Sequence, residues 1–394
     1  MKNITKKVTL IAILAVGFLS FGYPCFNQPR PAFVYKPVPK RFMSALNAND
    51  SYESERATAL STAYDLTRSL PAGYVKDGSV DYTKTLQSGI DTHQNIIFPN
   101  FPVLVGTAGL TFKANTSVLF AKDSKVLLAP NALQAYVIFK IYDADNVKMF
   151  APVVVGDRVN HTGTGGEAGI GIKIGGSSNV KLYRPQVSNC WGDGIYVGNS
   201  PRNVSDGIVI DKARLDNNRR NGLTVAAGKN ISITNAVVTN TNGTAPMTGI
   251  DIEPNNSKTV IDNIAITNYM SYNNAVAALM IGLSRLPGPQ AKALNIKVDG
   301  LTARGSYVGI TLGGFYARPE NRKLDGNIEL SNINIVDAQI PVKTASNYDL
   351  GPAIHLRGVK FLKTNPSGSE EPTDAELGKL RSRLSKKLNI SMDQ

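Results

Sequence analysis

The stretch Trp191-Gly-Asp-Gly-Ile-Tyr-Val-Gly198 decides the fold. It reads as a tight glycine turn leading into a short strand, and it recurs. Arg220-Asn-Gly-Leu-Thr-Val-Ala226 and Thr248-Gly-Ile-Asp-Ile-Glu253 repeat its form. Gly171-Ile-Lys-Ile-Gly175 upstream, and Ala278-Leu-Met-Ile-Gly282 and Gly309-Ile-Thr-Leu-Gly313 downstream, are weaker copies. A strand that returns every few dozen residues marks stacked repeat units. A second strand opens on Asn, or once on Gly, at Asn146, Asn179, Gly207, Asn230, Asn263, Asn295 and Asn327, with steps of 33, 28, 23, 33, 32 and 32 residues. Most copies alternate apolar and polar residues, so one face is buried and one is wet. A single unit cannot bury its apolar face, whereas stacked coils share a continuous core. Glycine and asparagine corners without long helical periods match a doubly wound sheet poorly. The fold class is therefore all-β, a single-stranded right-handed parallel β-helix over residues 81–362. The Asn columns are scaffold, because Asn tolerates left-handed geometry and bonds to nearby backbone.

The flanks differ from this body. Lys2, Lys6 and Lys7 precede an apolar run from Val8 to Phe21. That run is shorter than the roughly 20 residues of a membrane span and fits the core of an export signal. Residues 1–24 are expected to be a signal peptide or N-terminal anchor, with cleavage within Ser20–Cys25. Cys25 raises lipid attachment, which Pro24 opposes. The location expected is the periplasm, the cell surface or the outside, with membrane contact only through this segment. Residues 25–80 read as a Pro-rich and polar linker, with one helix between Thr58 and Leu70. Tyr82 to Ile90 forms a short capping helix, with Leu86 and Ile90 on one face. Residues 363–394 hold a linker and an amphipathic helix opened by the capping box Thr373-Asp-Ala-Glu376. Two cysteines, Cys25 and Cys190, make no disulfide framework. Cys190 reads as a small buried hydrophobe.

The chain has a net charge of +13, but residues 41–361 carry only +6 of it. That mild bias suits a polyanionic partner. No basic cluster interleaved with aromatics stands out, so nucleic acid is not the expected partner.

Aligning the recurring strand on its entry residue places Lys173, Tyr196, Thr224, Asp251, Met280 and Thr311 in one outward column. Gly175, Gly198, Ala226, Glu253, Gly282 and Gly313 form the next. Coils about 4.8 Å apart bring Lys173, Tyr196, Asp251 and Glu253 onto one outer surface. The turns add Asp193, Arg219 and Arg220. The glycine column leaves a shallow trough suited to an extended polymer. Asp251 and Glu253 are two carboxylates at a spacing compatible with glycoside hydrolysis; as a solvated face they would pair with Arg219 or Arg220. A lyase or C5-epimerase on uronic acids instead needs a cation for the substrate carboxylate and a proton shuttle. Arg219, Arg220 or Lys173 could supply the first, and Tyr196 or His161 the second. Asp157, Arg158, His161 and Glu167, in a charged loop before a repeat strand, either bind substrate or satisfy loop backbone. Trp191 is either a sugar platform or, more often for such a residue, packed. No Cys and His spacing suggests zinc; calcium stays open as a cofactor, with no ligand set identified.

The phrases Cys190-Trp-Gly-Asp-Gly-Ile-Tyr-Val-Gly198, Asn218-Arg-Arg-Asn-Gly-Leu223 and Gly243-Thr-Ala-Pro-Met-Thr-Gly-Ile-Asp-Ile-Glu-Pro254 resemble those of exported bacterial proteins in the pectate-lyase-like superfamily of right-handed β-helices. The resemblance runs from about Asp81 to Phe361. It implies a polysaccharide-active protein. The Asn-Thr-Asp, Asp-Asp and Gly-His-Gly motifs of polygalacturonases are missing, as is the Arg-x-Pro-x-x-Arg of classical pectate lyases. Asp251-Ile-Glu-Pro254 is the nearest text to the Asp-Pro-His of mannuronan C5-epimerases, without its His. No site carries over from these families. The expected function is a lyase or epimerase on an acidic polysaccharide, with Asp251, Glu253, Asp193, Tyr196 and Arg220 at its centre. The alternatives are a hydrolase using Asp251 and Glu253, and a non-catalytic adhesive or carbohydrate-binding surface protein.

Overall fold

A computed structural model describes residues 32–314, 320–344, 350–386 and 389–393. The export-signal segment and Cys25 lie outside them. Phe33 onward forms one compact body. Among the described residues no helix is long and apolar enough to cross a membrane.

The repeat becomes a parallel solenoid. One sheet holds nine rungs, one per coil, at Leu110–Thr111, Ala135–Tyr142, Ala168–Gly175, Ile195–Gly198, Asn221–Val225, Thr248–Ile252, Ala277–Ile281, Val308–Leu312 and Ile340–Thr344. All pair in parallel. The other two strands of each coil form the remaining faces. In the last coils these two run on as single bent strands, Ile261–Tyr272, Lys292–Arg304, Leu324–Val336 and Ala353–Thr364. The core is a set of ladders down the stack. Ile172, Ile195, Leu223, Ile250, Leu279, Ile310 and Val342 form one, wholly buried.

The corners explain the asparagines. Asn146, Asn179, Asn230 and Asn263 have φ of 59°, 54°, 54° and 50°, and Gly207 takes the same place at 67°. Each Asn amide donates to the coil before it, as Asn179 to Asn146 (2.7 Å) and Asn263 to Asn230 (2.6 Å). A second corner repeats the device through Asn235 and Asn268, and a third through Asn217, Asn240 and Asn273. Left-handed backbone costs other residues roughly 1–2 kcal/mol. Asn230→Ala is expected to lose about that much in urea denaturation, and Asn230→Gly clearly less, since glycine restores the backbone but not the ladder. Equal losses would show that the side-chain ladder, not the backbone, sets the corner.

The flanks hold the ends and one side. Helix Thr83–Thr92 buries Leu86 and Ile90 under the first coil, as expected. The helix expected at Thr58–Leu70 lies earlier, at Glu53–Ser61. Within the expected span the Asp65 carboxylate accepts from Thr67 N (2.8 Å) and caps a separate 3-10 turn, Leu66–Ser69. The segment expected as a linker lies along the coils. Asp50 pairs with Arg184 at 2.8 Å and with the buried Lys212. Tyr52 stacks on Tyr183 at 4.1 Å, and Glu55 meets Lys148 and Lys181. The C-terminal helix Asp374–Leu384 docks on the body through Leu380 and Leu384. Its capping box does not close: the Thr373 side chain makes no cap hydrogen bond, and its hydroxyl donates to Phe361 O.

Candidate functional site

The register places Lys173, Tyr196, Thr224, Asp251, Met280 and Thr311 in one column, as the strand alignment predicts, and extends it to Lys140 and Lys343. The turn before each rung explains the Gly-Asp-Gly phrase. A Cβ at Gly222 would sit 2.1 Å from Val238 Cγ1, and one at Gly249 2.1 Å from Tyr269 Oη. Only glycine lets the chain bend over the core at this point. The residue just before it, Asp193, Asn221 or Thr248, then turns toward the outward column.

These turn residues build a polar network around Arg220. Its guanidinium pairs with Asp193 (3.1 Å), Glu253 (3.3 Å) and Glu167 (3.5 Å). Asp193 also accepts from Thr224 Oγ1 (2.8 Å) and from Asn221 N (3.1 Å). The Asn221 amide donates to Thr224 Oγ1 (3.0 Å) and to Asp251 Oδ2 (3.1 Å). Four of the five residues expected at the centre, Asp193, Arg220, Asp251 and Glu253, thus stand together. Tyr196 flanks them through Asn255, whose amide donates to its hydroxyl (3.3 Å).

Asp251 departs from the expectation of an outer surface. It points away from the core yet is fully buried, and its Oδ1 has no hydrogen-bond partner. Asn221 and the Arg220–Glu253 pair crowd it. Glu253 keeps 24% of its side chain exposed. Burial, and then the Glu253 charge, push the Asp251 carboxyl well above the usual carboxylate range, against the pull of Arg220. Burial also raises Asp193, opposed by Arg220, Thr224 and Asn221. Arg220, buried among carboxylates, is held firmly charged. Burial thus biases Asp251 toward its protonated form.

This has a measurable sign. A carboxyl raised in the folded state favours folding in its protonated form, fully below about pH 4, the unfolded value, and loses that contribution as pH rises toward the folded value. Asp251→Asn keeps the neutral form at every pH. The variant should match the wild type in urea denaturation near pH 4 and exceed it increasingly toward pH 8. A wild type at least as stable at pH 8 would show that Asp251 is ionised in the fold.

Lys173 stands apart. It makes no ion pair among the described residues. Its Nζ lies 5.0 Å from the Tyr196 ring centroid and 5.9 Å from that of Tyr142. Burial lowers Lys173 and raises Tyr196.

The loop residues form a second, enclosed cluster. Asp157 is buried and accepts from Tyr136 Oη (2.5 Å) and from Asn131 Nδ2 (2.8 Å), and it meets His161 Nδ1 at 2.8 Å. His161 stacks on Trp191 at 3.8 Å, and the Arg219 guanidinium lies 4.0 Å over the Trp191 ring. Trp191 Nε1 donates to Gly165 O (2.8 Å). Trp191 is thus packed, and Asp157 and His161 fasten the loop. Cys190 is buried, and burial raises its thiol. Among the described residues no three His, Cys, Asp or Glu side chains converge as a metal site requires. Asn221 and Asn255 escaped the sequence reading. Asn221 was discernible, since it precedes Gly222 as Asp193 precedes Gly194.

A family model described as "Right handed beta helix region" matches residues 156–280. The fold is a right-handed parallel β-helix. An uncharacterized protein of Bacillus subtilis, YclG, is 26% identical over 46% of this chain. The match spans only 36% of that relative's length. The N-terminal fragment of bacteriophage Phi29 gene product 12 superposes with a TM-score of 0.58 at 14% identity, over 81% of this chain and 56% of that one. The A-module of mannuronan C-5 epimerase AlgE4 from Azotobacter vinelandii superposes with a TM-score of 0.52 at 17% identity, over 76% of this chain and 88% of that one. At these identities the solved structures speak for the fold.

Proposed function

We propose that the outward face around Lys173, Tyr196 and Glu253, where the sequence leads one to expect a trough, binds an acidic polysaccharide and moves the proton at C5 of a uronic acid unit, by β-elimination or C5 epimerisation. The observation that carries this reading is Lys173, an ammonium without an ion pair, one rung above Tyr196. Of the other two cations expected to meet the substrate, Arg220 is already engaged by three carboxylates, and Arg219 lies over the Trp191 ring and donates to backbone carbonyls. Lys173 neutralises the substrate carboxylate, which acidifies the C5 proton, and Tyr196 moves that proton. The network around Arg220 borders these rungs, and Glu253 keeps part of its side chain exposed beside them. The fold shared with a C-5 epimerase module supports the same chemistry. An exported location accords with a polymeric substrate.

The test incubates the protein with uronic-acid and neutral polymers. It follows ultraviolet absorbance of new C=C bonds, reducing ends, and C5 configuration by NMR. New double bonds indicate elimination, and inverted C5 centres without cleavage indicate epimerisation. Reducing ends alone would transfer the reaction to Glu253 and Asp251 as a hydrolase, a reading that the burial of Asp251 places second. Binding without any chemical change would make the protein a carbohydrate-binding or adhesive coil.

A further inference from the structure

Arg158 and Arg219 are two partly buried cations that meet at one place. A methyl group at Gly243 would lie 2.7 Å from Arg219 Cγ and 3.4 Å from Arg158 Nη2, so the two side chains converge beneath this exposed glycine. Arg158 donates only to neutral acceptors, Asn217 O (2.8 Å) and Asn242 Oδ1 (2.8 Å). Arg219 donates to Gly166 O (2.6 Å) and Trp191 O (3.3 Å). Neither makes an ion pair among the described residues. Glu167 acts on Arg219, and Asp216 on Arg158, only from beyond pairing distance. A sheltered cation without a counter-charge is costly, and two side by side repel. Burial and the neighbouring Arg219 charge pull Arg158 down to about 10. Each guanidinium has five N–H donors in a planar fork that matches oxyanions, and several are unspent.

On the reading proposed above, we infer that Arg158 and Arg219 form a second anion subsite, which holds a carboxylate or sulfate group of the same glycan chain at the edge of the trough. Arg219 stands next to Arg220 in the chain and five residues before Thr224, at most roughly 16 Å along an extended strand. That upper limit keeps the pair within reach of a glycan chain that also occupies the Lys173 and Tyr196 rungs, and the subsite is assigned to another sugar unit of that chain. The subsite makes affinity depend on chain length as well as charge, because a long chain engages both places at once.

The test uses the whole protein and two probes, sodium sulfate and size-fractionated oligouronates. In the first arm, the melting temperature is followed as sulfate replaces chloride at constant ionic strength. The wild type gains more from sulfate than Arg158→Gln or Arg219→Gln. Equal gains in all three overturn the subsite, whatever the trough does with glycans. Arg219→Gln serves as the second variant should Arg158→Gln fail to fold. In the second arm, calorimetry follows oligouronate binding. Long chains lose about tenfold in affinity in either variant, whereas chains too short to span both places bind as to the wild type. Unchanged affinity for long chains overturns the glycan assignment. If no oligouronate binds the wild type, the function proposed above falls with that assignment, and the sulfate arm still reports on the arginine pair.

Discussion

Arg220→Met is expected to remove about 3–5 kcal/mol of stability at neutral pH. Arg220 is the single cation paired with Asp193, Glu253 and Glu167, and Asp193 is nearly inaccessible beneath it. Methionine fills similar space but leaves the Asp193 carboxylate buried with only Thr224 and Asn221 as donors. The Glu167 contact is longest and most exposed and contributes little. Arg220→Lys should fall between, because one ammonium cannot reach three carboxylates with the geometry of a fork. Adding Asp193→Asn to Arg220→Met should restore most of the loss, since it removes the stranded charge. Urea denaturation of the four proteins measures this. A loss under about 1 kcal/mol in Arg220→Met would mean that water or a proton already neutralises Asp193.

The course of the chain was legible because its signal is local and repeated. Glycine entry residues and the two-residue strand period fix which side chains share a column, and the pairing of Lys173 with Tyr196 and of Thr224 with Asp251 follows that alignment rung by rung. Asn corners were legible for the same reason in the earlier coils, where Asn answers the left-handed backbone requirement, whereas Asn295 and Asn327, expected in the same column, lie within the continuous strands Lys292–Arg304 and Leu324–Val336. The environment of the column was not. Asp251 lies buried because Asn221, from the preceding coil, turns outward ahead of an inward glycine and because Arg220 draws Glu253 across. Each step depends on side-chain reach between coils, which no one-dimensional pattern records. Trp191 is packed because a loop from the previous coil brings His161 and Gly165 to it. The N-terminal segment looked like linker because its contacts are scattered, some polar, as Asp50 on Arg184 and Lys36 on Asn240, and some apolar, as Tyr52 on Tyr183, with no regular period to reveal them.

Tyr196→Phe and Lys173→Ala are expected to lower turnover on an acidic polysaccharide by about two to four orders of magnitude each, and Asp251→Asn by no more than a few-fold. The phenylalanine variant keeps the ring and the stacked ammonium of Lys173 and removes only the hydroxyl. It should bind the polymer as the wild type does and fail in the proton step, so kcat falls and KM holds. Lys173→Ala removes the charge that faces the substrate carboxylate both on binding and as negative charge develops at C5, so kcat and KM both change. Lys173→Arg should recover part of the lost affinity and less of the rate, because the position of the charge matters more in the proton step than in binding. Asp251 gives the opposite pattern. It is fully buried and biased toward its protonated form, so an amide in its place keeps its shape and the charge of that form. A large loss in Asp251→Asn with near-wild-type rates in Tyr196→Phe would reverse the assignment, moving the chemistry from the Lys173–Tyr196 rungs to the carboxylates of the Arg220 network.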